Sequence, residues 1–209
     1  MDTPSLIKTL GKPIDTACKL FESLLGQPVE VAGQTVADQI QAWQWSNRVR
    51  IAEKVEEKLK EDSIARRVLL PDYLLPLMRD CGDAGDERLQ NMWADLLVSA
   101  IDDQDAEHVA FLKTINQFSP NDARALKTML TIGFRKRDER AKAIASELDM
   151  DESSVRVSLA NFDHLGFFTP SQRGVKSFAV HFMRACFRDD EMVNRYIDSQ
   201  DKGGGVLVD

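Results

Sequence analysis

DCGDAGDERLQNMWADLLVSAIDDQDAEHVAFLKTINQFSPNDARALKTML, residues 80–130, carries the clearest helical signal in the chain. Leu89, Met92, Trp93, Leu96, Leu97, Ala100 and Ile101 recur at steps of three and four, which places them on one helical face. After the acidic break Asp102-Asp103-Gln104-Asp105, the residues Phe111, Leu112, Ile115 and Phe118 resume the same rhythm. Ser119-Pro120-Asn121-Asp122 then starts another helix, with serine at the cap, proline at the first position and aspartate at the third.

Toward the N-terminus, Pro13 opens a predicted helix whose stripe is Ile14, Ala17, Cys18, Phe21, Leu24 and Leu25. Gly26 and Pro28 close it, and Thr35 is the expected cap of a long helix over residues 36–62. Val36, Ile40, Trp43, Ile51, Val55 and Leu59 fall on one side of that helix. Trp43 and Trp45 point in nearly opposite directions, so one of them is expected at the surface. Pro71 and Pro76 exclude an uninterrupted helix through RRVLLPDYLLPLMRD, leaving a short one over residues 73–80. A polar turn over residues 81–85 follows, and Asp86 caps the Trp93 helix.

Beyond Leu130 the order of elements changes. RAKAIASELDMDESSVRVSLANFDHLGFF reads as helix, tight turn at Asp149-Met150-Asp151, second helix, and Gly166 as a stop. TPSQRGVKSF is a loop between the apolar runs Phe167-Phe168 and residues 175–178, with a last helix over residues 180–188. Three helices and a hairpin are the order of a winged helix-turn-helix. The expected fold is therefore mainly α: a helical bundle followed by a C-terminal winged helix-turn-helix with a short β-hairpin. Its divisions are an N-terminal helical region (1–62), a central helical bundle (63–118), the winged helix (119–190) and a partly disordered tail (191–209).

Composition fits that picture. The 209 residues are 43% hydrophobic and 29% charged, as in ordinary globular proteins. The net charge of −7 speaks against a surface built to grip nucleic acid everywhere. Residues 135–188 hold ten basic against seven acidic side chains, +3, which leaves −10 for the remainder. Any polyanion contact is therefore expected in the C-terminal third. Cys18, Cys81 and Cys186 are far apart and form no Cys-x-x-Cys pair, the usage of reduced thiols in a cytoplasmic protein. No run reaches the ~18 apolar residues of a membrane span, and the first residues lack a secretory core.

Several words of the chain resemble the abortive infection alpha family of bacterial proteins: ADLLVSAID and FSPNDARAL, then EKLK before RRVLLPDYLLPLM, NFDHLGFF and FMRAC. The resemblance runs over residues 59–186, is strongest over residues 79–130, and weakens before residue 57. It implies a part in phage resistance. The matching words are core and cap residues, so they speak for fold, and the family offers no catalytic motif to carry over.

The residues themselves offer two candidate surfaces. On the second helix of the winged helix, Val155, Leu159 and Phe162 form the core side at 100° per residue. Opposite lie Ser153, Val157, Ala160, Asn161 and His164, with Arg156 on the flank. Asn161 is the candidate to read adenine and Ser153 to meet a phosphate. Yet the face is small and nearly neutral, which suits a protein partner or a second copy better than a major groove. The other surface is FRKRDERAK, where Arg135, Lys136 and Arg137, with Arg173 and Lys176 in the wing, are candidate phosphate contacts. The alternative is a solvated loop partly offset by Asp138 and Glu139.

Neither acidic cluster, Asp80/Asp83/Asp86/Glu87 or Asp102/Asp103/Asp105, has the alternating ligands of a calcium loop. His108, His164 and His181 are scattered, so no catalytic set and no metal or cofactor site is expected. The leading expectation is a non-enzymatic phage-defence component working through protein contacts, with another protein or its own copies as partners. The alternatives are a winged-helix DNA-binding regulator and, less favoured, a membrane-acting toxin using the N-terminal helices.

Overall fold

The structure is a computed structural model that describes residues 19, 20, 23, 36–103, 108–132, 137–169 and 175–202. Lys19, Leu20 and Ser23 are helical and Leu20 is buried, but the rest of the helix expected from Pro13, and its Thr35 successor cap, lie outside the described residues. Nine α-helices and one 3-10 turn follow in order among the described residues, which makes the protein mainly helical. The chain divides into two compact units, Met1–Asn116 and Gln117–Asp209.

In the first unit, α1 spans Val36–Glu61 and packs along α3, Glu87–Asp102, and against the 3-10 turn Cys81–Asp83. Ile51, Val55 and Leu59 are buried as their spacing requires, but Trp43 is 48% exposed. Trp43 departs from that stripe, and its ring lies where a side chain on Gly85 would stand, 2.9 Å from an added Cβ. α3 is capped as expected, the Asp86 carboxylate accepting the Arg88 N–H at 2.9 Å. Its entire stripe is buried, with Trp93 2% exposed. α4, His108–Ile115, adds Phe111, Leu112 and Ile115 to the same core.

α2 begins earlier than its prolines implied, at Pro71–Asp80, because Pro71 takes the first helical position, where a missing N–H costs nothing. Pro76 stands inside the helix, and the burial of Tyr73, Leu74 and Leu77 offsets the donor it removes. The turn after α2 is not simply polar, since Cys81, Gly82 and Ala84 are buried. Three polar side chains of α1 hold it. Asn47 donates to the Gly82 carbonyl at 2.8 Å, Gln44 to Asp83 at 2.8 Å, and Arg48 to the Met78 and Arg79 carbonyls. Gln90 of α3 completes the set by donating to the Ala84 carbonyl at 2.9 Å. Carbonyls at the end of a helix lack the N–H groups of a following turn, and here side-chain donors supply partners for them.

In the second unit, α5 (Pro120–Ile132) packs on α6 (Arg137–Leu148), on α7 (Glu152–His164) and on α9 (Glu191–Lys202), while α8 (Ser177–Cys186) packs on α9. The α5 cap is a reciprocal box: Ser119 Oγ accepts the Asp122 N–H, and Asp122 accepts the Ser119 N–H at 2.8 Å. Asp149 turns the chain between α6 and α7 in the left-handed region, at φ 50°. Gly166 does so after α7, at φ 73°, as a helix stop requires. Phe118, Phe162, Phe167 and Phe182 fill the centre, with ring centroids 5.4–6.0 Å apart.

Two expectations here need correction and one stays open. α8 starts three residues earlier than residue 180, because the Lys176 N–H is already bound to the Phe167 carbonyl at 2.9 Å and the helix turns from there. Residues 191–202, expected as part of a partly disordered tail, form α9, anchored by Val193 and Ile197, which are buried four residues apart. The Val193 N–H is capped by Asp190, whose carboxylate also meets Lys127 at 2.6 Å. Of the hairpin, the described residues contain one isolated antiparallel bridge, Phe168 with Val175, and no strand. Residues 170–174 between them, and 203–209 after α9, lie outside the described residues.

Candidate functional site

The outward face of α7 is where the sequence placed its first surface. α7 exists as an amphipathic helix because Val155, Leu159 and Phe162 recur on one side and are buried to within 1%. Asp151 holds its first turn, accepting the Ser153 and Ser154 N–H groups at 3.1 and 3.3 Å. The Ser153 hydroxyl also donates to that carboxylate. These bonds, the hydroxyl first, hold the Asp151 carboxyl below the usual aspartate range, so it stays charged and exposed.

Ser153, Arg156, Val157, Ala160 and His164 are all exposed, as their position opposite the core side requires. Their chemistry is largely spent locally. Ser153 serves the cap. The Arg156 guanidinium binds Glu152 one turn back, at 2.7 and 3.0 Å. Asn161 is half-buried and faces inward, its amide donating to the Gln117 carbonyl at 3.1 Å and to Asp122 at 3.2 Å. A side chain so engaged ties α7 to the start of α5. What the face offers is Val157, 69% exposed, set among paired polar groups.

Most of the second surface falls where the structure gives no side chains. Arg135, Lys136 and Arg173 lie outside them, as does the side chain of Arg137. Lys176 is half-buried at the start of α8. Arg140, from the same basic run, turns inward instead: it is 1% exposed and its guanidinium lies 5.1 Å from the Phe168 ring centroid. An arginine can be buried against an aromatic face because its flat cation is weakly hydrated and the ring face is negative. The sequence signal for it was its step of four from Ile144, both on the buried side of α6.

Sequence reasoning also missed the α1 side chains Gln44, Asn47 and Arg48, since a polar residue on a helix normally reads as solvated. They bind the chain on either side of Cys81, whose thiol is pushed up to about 12, first by burial. Cys186 is buried as well, and Cys18 lies outside the described residues. Among the described residues no three histidine, cysteine or acidic side chains gather as metal ligands would, and no helix is long and apolar enough to cross a membrane.

A family model described as abortive infection alpha matches residues 45–199, from within α1 to within α9. The match is wider at both ends than the words quoted above, and it includes most of α1. No curated protein and no solved structure matches the chain.

Proposed function

Because the chain belongs to the abortive infection alpha family, we propose that it is a cytoplasmic, non-enzymatic component of bacterial phage defence that acts through contacts with proteins. The observation that carries this reading is the α7 face, where Val157 is 69% exposed among polar groups that already have partners. Such a surface gains from excluding water against another apolar surface, and it offers little to a phosphate backbone. We read residues 119–190 as a winged helix-turn-helix that presents this helix. The order α5, α6, α7 and the bridge of Phe168 with Val175 ahead of α8 support that reading.

The test is phage plating. Expression of the chain in a sensitive host lowers plaque formation, and Val157→Asp removes the protection while the purified variant keeps its helical circular dichroism. Protection unchanged by Val157→Asp would end the docking reading. Plating unaffected by the unaltered chain across a broad phage panel would end the defence reading.

A further inference from the structure

α9 is tied to the second unit by a narrow contact. Its apolar residues, Met192, Val193, Tyr196 and Ile197, all precede Asp198, and DSQDK, residues 198–202, holds none. Val193 and Ile197 are buried, Tyr196 is half-buried, and Glu191, Arg195 and Asp198 are exposed. A helix of 12 residues is marginal in water by itself, so α9 is helical because it is docked. The centre of the unit is the cluster of Phe118, Phe162, Phe167 and Phe182, and all four rings come from outside α9. An element so placed can open while the centre stays packed.

The seat of α9 is on α5. Lys127 of α5 meets Asp190 at 2.6 Å, and the Asp190 carboxylate also accepts the Val193 N–H at 3.2 Å, so the ion pair stands at the first turn of α9. Ala123 and Leu130, four before and three after Lys127, share its side of α5 and are 4% and 7% exposed. Residues 187–190 alone join α9 to α8, and there the Asn194 amide donates to the Arg188 carbonyl at 2.8 Å. We infer that α9 is a releasable occupant of a groove on α5, and that an amphipathic helix of a partner protein takes its place. The chemistry that the groove recognises is written in α9. It is a carboxylate for Lys127, followed at the third, sixth and seventh positions by apolar side chains for Ala123 and Leu130. An occupant carried on the same chain competes at high effective concentration, so the free protein stays closed until a partner helix binds more tightly. The groove is on α5 and is independent of the Val157 face of α7.

The test uses the full chain. In hydrogen exchange read by mass spectrometry, the amides of α9 exchange at least about a hundredfold faster than those of α5 and α7. Val193→Asp with Ile197→Asp drives α9 off its seat, and the phenylalanine dichroism of the native protein remains. That variant binds a labelled peptide of residues 187–202, read by fluorescence anisotropy, at least about tenfold more tightly than the unaltered chain does. The same peptide carrying both substitutions binds neither chain. Exchange of α9 in step with α5, loss of the phenylalanine dichroism in the variant, or no gain in peptide binding overturns the inference.

Discussion

Asn47 is 1% exposed on a helix that is charged along much of its length, and its amide reaches the carbonyl of a glycine 35 positions on. Gly82 leaves room for this, because a Cβ there would stand 2.7 Å from the Arg48 guanidinium. Buried donors matched to buried carbonyls stabilise only modestly but are costly to strand. The same region keeps Cys81 protonated. Its thiol rises from the ordinary 9.0 to about 12, first through burial, so the fold retains a proton that the unfolded chain releases above about pH 9. Stability is therefore full below that pH and falls as pH climbs from there toward 12. Cys81 should resist alkylation at pH 8 until denaturant is added, by mass spectrometry of the labelled peptide. Trp93 is 2% exposed in the first core: Trp93→Ala should cost about 3–5 kcal/mol in urea unfolding followed by circular dichroism. A loss below ~1 kcal/mol would mean the α3 stripe does not face a core.

Caps join elements as well as starting them. Asp122 is 4% exposed and accepts from the Ser119 N–H, the Ser119 hydroxyl and the Asn161 amide. Asp122→Ala should lower stability by about 1–3 kcal/mol, and combining it with Asn161→Ala should cost less than the two losses added. Strict additivity in urea unfolding would show that the α5–α7 tie contributes nothing. The helices themselves were legible because caps, prolines and apolar spacing agree, as at Asp86, Ser119 and Gly166. α9 was not, because Val193 and Ile197 are a short signal among charges and only packing on α5 makes them count. Asn161 and Arg140 lie deeper than helical periodicity alone indicates, for a shared reason. Periodicity assigns a side chain to a face, while hydrogen bonds and ring contacts decide whether that side chain bends back toward the interior. The neutrality of the α7 face was readable from Glu152, Arg156 and Asp163, but not the bonds that the Asn161 amide makes to Gln117 and Asp122.

The two units of the molecule are built from different side chains. All three tryptophans, Trp43, Trp45 and Trp93, belong to Met1–Asn116, and eight of the ten phenylalanines belong to Gln117–Asp209. Asp122→Ala should accordingly alter the near-ultraviolet phenylalanine dichroism of the native protein and leave its tryptophan emission maximum in place. A shifted maximum would show that the change reaches the first unit. This uneven allotment of aromatic rings makes indole light a witness to only one half of the chain. A melting curve recorded by fluorescence would judge a variant harmless even where the stacked rings behind α7 had come apart.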